Sequence, residues 1–484
     1  MTNHLQAQTA IAGEDFRVRQ FYTQSRWLSE ENCRLDATAY SESAFLAREN
    51  IQRTPYPKAK IFARAGAIYH PTQNQPRSNF KRIWVDSEEE GVAFVSGREL
   101  FFFQPEKAKF LSKRMAKLDE LSVREGTILL SRSGTTGHPV LVNRTLSHFA
   151  VTDDAIRILP GLTKAGYIYA FLASRFGQIL LTKNEYGSTV SHLEAKHVGD
   201  ISMPLAGEPS EQAIHQKIVQ AYGLRDQGNE LLEQADQELH HAMGVEPFTE
   251  HDIEYIGREG DPKAFAINSG ELGVRFDASH HVPIASSAIK KLGLATHPLV
   301  ALRSIITSVY LPPRVARVYV DAEHGTPFLQ GSHVLMMRIH ALKSVSNTKQ
   351  KNLKLWTIKK DEVLLTRSGT VGRVAIVTKK MDGWAASEHM LRVRAKAGKS
   401  HPGFLAAFLN TSYGKHQLRS KIYGGVVDEL TAEDTEEVLV PEMPYKEQEK
   451  IGTLVLKAYE LRDAANDLED SAIAQFEKLI DSPS

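Results

Sequence analysis

Two nearly identical loops contain the residues best placed to bind an anion. The stretch SRSGTTG (131–137) and the stretch TRSGTVG (366–372) each lie between two short β-rich runs. Each loop has one arginine and two glycines, which are Arg132, Gly134, Gly137, Arg367, Gly369 and Gly372. The glycines predict a tight strand connection with positive φ angles. A functional interpretation, compatible with this one, is that the loops expose the arginines and backbone N–H groups to a phosphate.

Basic residues form two runs in corresponding parts of the chain. Residues 338–360 include no acidic residue, and their lysines are Lys343, Lys349, Lys351, Lys354, Lys359 and Lys360. Residues 106–117 are a weaker match, with Glu106 against Lys107, Lys109, Lys113, Arg114 and Lys117. Acidic residues gather after about residues 208 and 445, so the formal net charge is only +1. Net charge alone therefore predicts neither a nucleic-acid nor a membrane partner, because basic and acidic regions cancel.

The remaining polar residues offer little for catalysis. Glu194-Ala-Lys196 has the Glu-x-Lys spacing of many nucleases, but so short a match occurs often by chance. The histidine pairs at 240–241 and 280–281 are adjacent in sequence, so their side chains point apart and chelate a metal poorly. There is no GxxxxGK[ST] phosphate loop, and the single Pro-Pro pair follows Leu311, not the Asn or Asp with which adenine methyltransferases hold a flipped base. We expect no catalytic residue, no metal and no cofactor.

Length and composition indicate a folded protein of more than one unit. The chain has 484 residues, and single domains usually stop growing at roughly 250 residues. Its 42% hydrophobic and 24% charged residues are typical of globular proteins. The sequence begins without a secretory signal and has no apolar stretch of about 18 residues, and its only cysteine is Cys33. We expect a cytoplasmic protein with no membrane segment and no internal disulfide.

Further pairs of similar segments follow at the separation of the two loops, about 235 residues. They are RLDATAY (34–40) with RFDASHH (275–281), GVAFVSGREL (91–100) with GTPFLQGSHV (325–334), YGSTV (186–190) with YGGVV (423–427), and AYGLRD (221–226) with AYELRD (458–463). Because the order is the same in both halves, we interpret the chain as two copies of one unit. Each copy begins with a mixed α/β region of short strands and turns.

Each copy ends in a long helical pattern. In the second copy a coiled-coil seam is predicted through Ile451, Leu454, Ala458, Leu461, Ala465, Leu468, Ala472 and Leu479. The first copy follows with Ile214, Ala221, Leu224, Leu231, Ala235 and Ala242, with Lys217 and Gly228 as defects. We expect the two helices to pack on each other as an antiparallel pair, here called the rod. The alternative is that each helix lies separately on its own globule.

A smaller set of residues is interpreted as structural. Thr431, with Asp434 three positions later, predicts a helix N-cap that orients the globule against the rod. The same role is assigned to Tyr186, Gly187, Tyr423 and Gly424.

Two similar globules held apart by a rod form a ruler. A helix of about 30 residues spans on the order of 45 Å. That length is comparable with one turn of DNA, roughly 34 Å, which is the usual spacing of paired half-sites. We expect each globule to read one half-site, with basic residues on phosphates and other side chains on base edges.

The order of these motifs resembles the specificity subunit of type I restriction-modification enzymes. The resemblance rests on RLDATAY, GTPFLQGS, LLTRSGTVGRVAIV, residues 423–451 and the terminal helix, and it covers nearly the whole chain. It implies two target-recognition domains that bind a bipartite double-stranded DNA site. It also implies that methyltransferase subunits dock on the paired helices and recruit restriction subunits. Such a chain chooses the target and has no catalytic activity of its own.

The expected architecture is an α+β fold in five segments. These are an N-terminal segment (1–25), target-recognition domain 1 (26–205), a central helical repeat (206–245), target-recognition domain 2 (246–442) and a C-terminal helical repeat (443–484). The nominated DNA contacts are Arg98, Lys113, Arg114, Arg132, Lys349, Lys351, Lys354 and Arg367. A nuclease acting on its own, and a scaffold that binds protein in place of DNA, are the two alternatives. Substituting Glu194 would test the first, and salt dependence of binding would test the second.

Overall fold

A computed structural model describes residues 41–73, 81–133, 137–183, 192–253, 265–267, 269–272, 275–278, 280–340, 342–424 and 428–481. Cys33, Gly134, Tyr186 and Gly187 lie outside this part, as do the N-terminal segment 1–25 and the repeated segments 34–40 and 186–190. In the described part, two mixed units and two long helices follow one another in the order unit, helix, unit, helix.

Among its described residues, the first unit contains ten strands and six shorter α-helices. Its strands are β1 (Lys58–Lys60), β2 (Ala67–Tyr69), β3 (Trp84–Val85), β4 (Gly91–Val95), β5 (Phe110–Ser112), β6 (Ile128–Ser131), β7 (Pro139–Leu141), β8 (Ala150–Val151), β9 (Ala155–Leu159) and β10 (Ser202–Pro204). Its helices are α1 (Glu42–Arg53), α2 (Leu118–Leu121), α3 (Arg144–Ser147), α4 (Ala165–Ala173), α5 (Arg175–Lys183) and α6 (Ala195–Gly199). The long helix α7 (Glu208–Met243) follows.

The second unit repeats this plan. Its strands are β11 (Leu299–Ala301), β12 (Ile306–Tyr310), β13 (Tyr319–Val320), β14 (Gly325–Leu329), β15 (Ser344–Ser346), β16 (Val363–Thr366), β17 (Val374–Ile376), β18 (Ala385–Ala386), β19 (Met390–Ala395) and β20 (Leu439–Pro441). Its helices are α8 (Pro283–Leu292), α9 (Leu353–Trp356), α10 (Pro402–Asn410), α11 (Ser412–Ser420) and α12 (Ala432–Glu436), and the last helix is α13 (Tyr445–Asp481).

Sheet topology confirms the internal repeat. Each unit has a large antiparallel sheet, ordered β2-β9-β6-β7 in the first and β12-β19-β16-β17 in the second. Each also has a second four-stranded sheet, called the small sheet, with the order β3-β5-β4-β8 in the first unit and β13-β15-β14-β18 in the second. The last pair of strands in each small sheet is parallel. A two-stranded ribbon, β1-β10 or β11-β20, joins the start of each unit to its end.

The two long helices pack side by side in opposite directions. Lys217 contacts Gln475, Arg225 contacts Asn466, and Glu238 contacts Lys450, so rising positions on α7 meet falling positions on α13. The predicted α+β fold with an antiparallel coiled-coil rod is confirmed. Glu208 and Glu211 occupy the first turn of α7, where their negative charges interact favourably with the positive end of the helix dipole. Gly244 ends the helix in a left-handed conformation.

The packed seam differs from the predicted one at every second position. Of the predicted set, Ile451, Ala458, Ala465 and Ala472 are buried, but the positions between them are Val455, Arg462, Glu469 and Phe476. The leucines at 454, 461 and 468 are half-buried beside this seam. The prediction was wrong here because it counted apolar residues alone, whereas the rod buries charged side chains that pair with each other or with their neighbours.

Gly228 is part of the seam and is not a defect. A Cβ atom at this position would lie 2.8 Å from the ring of Phe103 and 3.1 Å from the carbonyl oxygen of Ala458. Only a residue without a side chain lets α7 and α13 approach this closely. Gly228 is therefore needed for the spacing of the two helices.

Each end of the rod is embedded in the core of one unit. Core residues of the first unit pack with Ile214, Ile218 and Tyr222 of α7 and with Ala472, Phe476 and Ile480 of α13. Core residues of the second unit pack with Ala235, Leu239 and Met243 of α7 and with Ile451, Val455 and Tyr459 of α13. Both units are thus fixed to both helices.

The units are not simply held apart by the rod, which corrects the expectation from sequence. The amide of Phe103 donates to the carbonyl of Leu335, and the amide of Met337 donates to the carbonyl of Phe101, each at 2.8 Å. Because 101–103 and 335–337 are equivalent segments of the two copies, this contact has local twofold symmetry. The units therefore meet beside the middle of the rod.

Candidate nucleic-acid interface

The arginine of each RSGT loop holds the chain segment that leads to the ribbon. Arg367 Nη2 pairs with Glu429 at 2.8 Å, its Nε donates to the carbonyl of Leu430 at 3.0 Å, and the residue is 5% exposed. Arg132 Nη2 pairs with Glu194 at 2.6 Å. Arg367 is thus buried, and the side chain of Arg132 is 15% exposed, so the loops do not expose these guanidinium groups to a phosphate as the sequence predicted. Carboxylates already occupy their charge-assisted hydrogen bonds.

The glycines of the loops have the predicted conformation. Gly137, Gly369 and Gly372 have φ angles of 79°, 74° and 87°. These left-handed conformations close the tight connections between β6 and β7 and between β16 and β17, which the sequence predicted. Together with the ion pairs, they define the repeated loop as a structural clamp.

Glu194 of the Glu-x-Lys fragment is part of the first clamp. Besides Arg132, it contacts Nε2 of His70 at 3.2 Å. Burial lowers the pKa of His70, and the hydrogen bond to Glu194 opposes that effect. Lys196 turns away and pairs with Asp200 at 2.6 Å. The two residues of the fragment therefore serve different contacts.

Five of the nominated basic residues follow the same strand of the repeated small sheet. In the first unit Lys113 and Arg114 come directly after β5, and both are exposed. In the second unit, three exposed lysines lie in the turn and short helix after β15: Lys349, Lys351 and Lys354. Lys113 Nζ donates to the backbone carbonyls of Glu88 and Glu89 at 3.1 and 2.7 Å. The structure thus groups these residues at equivalent places.

Arg98 lies in a different region. It is exposed and precedes the 3-10 turn Glu99–Phe101, which leads into the contact between the units. The pKa of Arg373 in the second unit is lowered mainly by burial and, to a smaller extent, by the charge of Arg98. Arg98 therefore stands at the junction and not with the small-sheet lysines.

The AYGLRD and AYELRD segments fasten each unit to the rod. Asp226 accepts hydrogen bonds from the backbone amide and hydroxyl of Thr145 at 2.9 and 2.6 Å, just beyond β7. Asp463, its counterpart, accepts from the hydroxyl of Thr378 beyond β17. One turn further along the helices, Glu230 pairs with Arg144, and the equivalent acid, Asp467, pairs with Lys380. The repeated motif is therefore the joint between globule and helix.

A buried charge network crosses the middle of the rod. Arg225 of α7 and Glu469 of α13 form an ion pair, and their side chains are 2% and 1% exposed. Tyr169 donates to Glu469 at 2.6 Å, and Arg338 of the second unit also pairs with it. Burial raises the pKa of Glu469, but the charges of Arg225 and Arg338 outweigh burial and lower it to about 2. Glu469 is therefore ionised and bridges the rod and both units.

Sequence reasoning missed one repeated segment. RIWVD (82–86) corresponds to RVYVD (317–321) at the separation of the other repeats, and these segments contain β3 and β13. Trp84 and Tyr319 at their centres are exposed. The signal was present in the sequence, since an arginine, an aromatic residue and Val-Asp recur in order.

Comparison with known proteins identifies the second half. Residues 324–467 match the family described as the type I restriction modification DNA specificity domain. No curated protein sequence matches the chain. Residues 324–467 are therefore similar to a DNA specificity domain, and the resemblance to a type I specificity subunit that the sequence motifs predicted is confirmed by this match.

Two solved structures align with most of the chain at low sequence identity. The S subunit of the type I restriction-modification system of M. genitalium is 11% identical, with a TM-score of 0.36, over 88% of this chain and 95% of that chain. The HsdS subunit of Thermoanaerobacter tengcongensis is 12% identical, with a TM-score of 0.28, over 89% of this chain and 97% of that chain.

Two properties of the described residues bear on other kinds of site. Among the helices assigned above, none combines the length and the apolarity that a membrane crossing requires. Within the same described part, histidine, cysteine, aspartate and glutamate side chains do not gather in groups of three that could hold a metal ion.

Proposed function

We propose that this chain binds a bipartite sequence in double-stranded DNA, with one unit on each half-site, and directs partner subunits to it. The observation that carries the proposal is the repeat of the three-sheet unit. The second copy matches a DNA specificity domain, and the first has the same strand order in every sheet. Two units of the same fold in one chain fit a DNA site in which two specific half-sites are separated by a gap of unspecified bases.

The local twofold symmetry supports this arrangement. The helices run antiparallel, and equivalent segments of the units pair between Phe101 and Met337. A duplex also has twofold symmetry in its backbone, so two inverted readers meet its half-sites in equivalent ways. The helix α13 has 37 residues, which corresponds to roughly 55 Å and exceeds one DNA turn of roughly 34 Å.

The exposed basic residues after β5 and β15 are the proposed DNA contacts in each unit. Lys113 and Arg114 serve the first half-site, and Lys349, Lys351 and Lys354 serve the second. Arg98, at the junction of the units, is the proposed contact to the intervening phosphates. Arginine and lysine suit both phosphates and the edge of guanine, so these loops combine both tasks.

The rod is the proposed docking surface for methyltransferase subunits, which would carry the chemistry and recruit restriction subunits. Its ends lie inside the two cores, but its outer face is exposed and includes Val219 of α7, an apolar side chain that is 47% exposed. The boundaries 26–205, 206–245, 246–442 and 443–484 remain our proposed division after the N-terminal segment 1–25.

The decisive experiment is methylome sequencing of cells that carry the chain with its neighbouring methyltransferase. We expect adenine methylation at a split motif, and we expect it to disappear when the chain is deleted. A triple variant, K349Q/K351Q/K354Q, should weaken methylation at that motif. The matched control replaces three exposed lysines outside both the small sheet and the rod, K379Q/K396Q/K399Q, and should leave it unchanged.

Unchanged methylation after deletion would contradict the proposed function. Binding of the full chain to duplex DNA across a salt series then decides between readers of DNA and a protein scaffold. Phosphate binding weakens steeply as ionic strength rises, with a slope of about 0.9 per neutralised phosphate in a log-log plot.

A further inference from the structure

The small sheets of both units have the same trio of side chains: an arginine just before the edge strand, an exposed aromatic residue on it, and a lysine just before the neighbouring inner strand. The trios are Arg82, Trp84 and Lys109 in the first unit, and Arg317, Tyr319 and Lys343 in the second.

In the first unit, Trp84 of β3 packs edge-to-face on Phe94, with ring centroids 5.5 Å apart. The ammonium of Lys109 lies 5.9 Å from the centroid of the Trp84 ring. The guanidinium of Arg82 lies 4.7 Å from the centroid of Phe94 and pairs with Asp153 at 2.9 Å. Aromatic rings and cations thus alternate along one face of the sheet.

The second unit repeats each of these contacts. Tyr319 packs edge-to-face on Phe328, with ring centroids 6.1 Å apart. Lys343 Nζ lies 5.0 Å from the Tyr319 centroid, and Arg317 lies 5.2 Å from the Phe328 centroid. Arg317 pairs with Glu388 at 2.8 Å, and Glu388 is the counterpart of Asp153 in the first unit.

Strand register explains why the lysine reaches the aromatic ring. Trp84 is opposite Leu111, and Tyr319 is opposite Val345. Each lysine precedes that partner by two residues, so it points to the same face and lies diagonally across from the aromatic residue. A long side chain spans this diagonal distance of roughly 7–8 Å.

Within each trio the arginine is engaged in contacts that stabilise the sheet, whereas the aromatic ring and the lysine, called the free part, are accessible to a ligand. Phe94 and Phe328 are buried, and the arginines are held by carboxylates, so these groups stabilise the sheet. Trp84 and Tyr319 are 45% and 41% exposed. The lysines are exposed too, and neither ammonium has an ion-pair partner among the residues that the structure describes. The aromatic ring and the lysine charge are therefore available to a ligand.

Conservation of this free part between the copies indicates what it binds. If the units read different half-sites, as proposed above, a contact that both units keep must serve what the half-sites share. What they share is the sugar-phosphate backbone, which is anionic at the phosphate and apolar at the deoxyribose. Contacts that read bases are expected to differ between the copies.

Resting on the proposed function, we propose that Lys109 and Lys343 bind DNA phosphates and that Trp84 and Tyr319 pack on the adjoining deoxyriboses. Each trio then anchors one half-site without reading its sequence. The loops after β5 and β15, which differ between the copies, are left to read the bases.

The test measures binding of the full chain to a pool of random-sequence duplexes between about 50 and 200 mM salt. We expect K109Q/K343Q to reduce the log-log salt slope by about 2, which is about 0.9 for each lysine. Wild-type affinity should then fall across this range by a factor of about 12 more than that of the variant. The sequence motif enriched from the pool should be the same for both proteins.

Three further variants make the outcome specific. K109R/K343R keeps the charge and should keep the wild-type slope, and W84A/Y319A should weaken binding with the slope unchanged. The control K60Q/K396Q removes two exposed lysines outside the small sheets and should match the wild type. An unchanged slope in K109Q/K343Q, or a changed motif, would overturn the anchor. A wild-type chain that neither binds duplexes in a salt-dependent way nor enriches a split motif would instead contradict the proposed function.

Discussion

Replacing Glu469 by glutamine tests whether the charge network in the middle of the rod holds the two helices together. The substitution keeps the shape of the side chain but removes the charge that compensates Arg225, which is 2% exposed. Two nitrogens of Arg225, Nε and Nη1, already have no hydrogen-bond partner in the described structure, so the carboxylate is its main compensation. Removing one partner of a buried ion pair typically costs about 3–5 kcal/mol.

The pKa of Glu469 supports the same direction. The charges of Arg225 and Arg338 lower it from 4.5 to about 2 in the folded chain, so the ionised carboxylate stabilises the fold. Because the folded pKa lies below the unfolded one, this stabilisation is fully present above about pH 4.5 and is lost as the pH falls towards 2. We expect acid to destabilise the wild-type chain more steeply in this window than E469Q, in which the titrating group is absent.

Urea unfolding followed by far-UV circular dichroism measures both effects. We expect E469Q to lower the free energy of unfolding by about 3 kcal/mol at neutral pH. The control is E460Q, at an exposed position of the same helix, which should change stability by less than about 0.5 kcal/mol. A double variant, R225M/E469L, should recover at least half of the loss, because well-packed apolar residues often replace a buried ion pair at little cost. Arg338 keeps Asp470 as a partner at 2.8 Å. A loss below about 1 kcal/mol in E469Q, or a double variant as unstable as the single, would refute this reasoning.

Three other substitutions follow from the same structure. Gly228→Leu should destabilise the chain by about 1–3 kcal/mol in thermal unfolding, because α7 and α13 cannot separate freely. The control is Gly223→Ala, in open space on the same helix, which should stabilise the chain by about 1 kcal/mol. Equal effects of the two substitutions would contradict the packing argument. Arg367→Ala should cost about 2–4 kcal/mol and leave the salt slope of DNA binding unchanged, since its guanidinium is held by Glu429; a reduced slope would restore it as a phosphate contact. Thr431→Ala should cost about 1 kcal/mol, because Thr431 caps α12 by accepting from the amide of Asp434, and unchanged stability would exclude that role.

Repetition in the sequence predicted the architecture because it does not depend on assigning each element correctly. The two RSGT loops and the two AYxLRD segments were enough to predict two copies and two long helices. The same segments did not reveal the seam of the rod. Arg225 and Glu469 occupy core positions that an apolar pattern skips, and only their mutual distance shows that burial is compensated.

The predicted site shows the same limit. Sequence identified Arg132 and Arg367 as equivalent, which the structure bears out, but it could not show that Glu194 and Glu429 hold them. When α6 is aligned with α12, Glu194 corresponds to Thr431 and not to Glu429. Glu429 lies two residues earlier in its own copy. Because side chains two residues apart in an extended segment point to the same face, both acids can reach the equivalent arginine. Pairing of this kind depends on tertiary contacts that single-sequence spacing does not contain.

Comparison of the two copies separates contacts that serve the fold from contacts that serve the target. The clamps and the joints to the rod recur in both copies and are buried or ion-paired, so they maintain the common unit. The exposed pairs Trp84–Lys109 and Tyr319–Lys343 also recur, and under the proposal above they contact the DNA backbone. Lys113-Arg114 and residues 349–354 occupy equivalent places with different sequences. If the proposed function holds, the three sets divide the work: the first maintains the fold, the second anchors the DNA backbone and the third reads the bases.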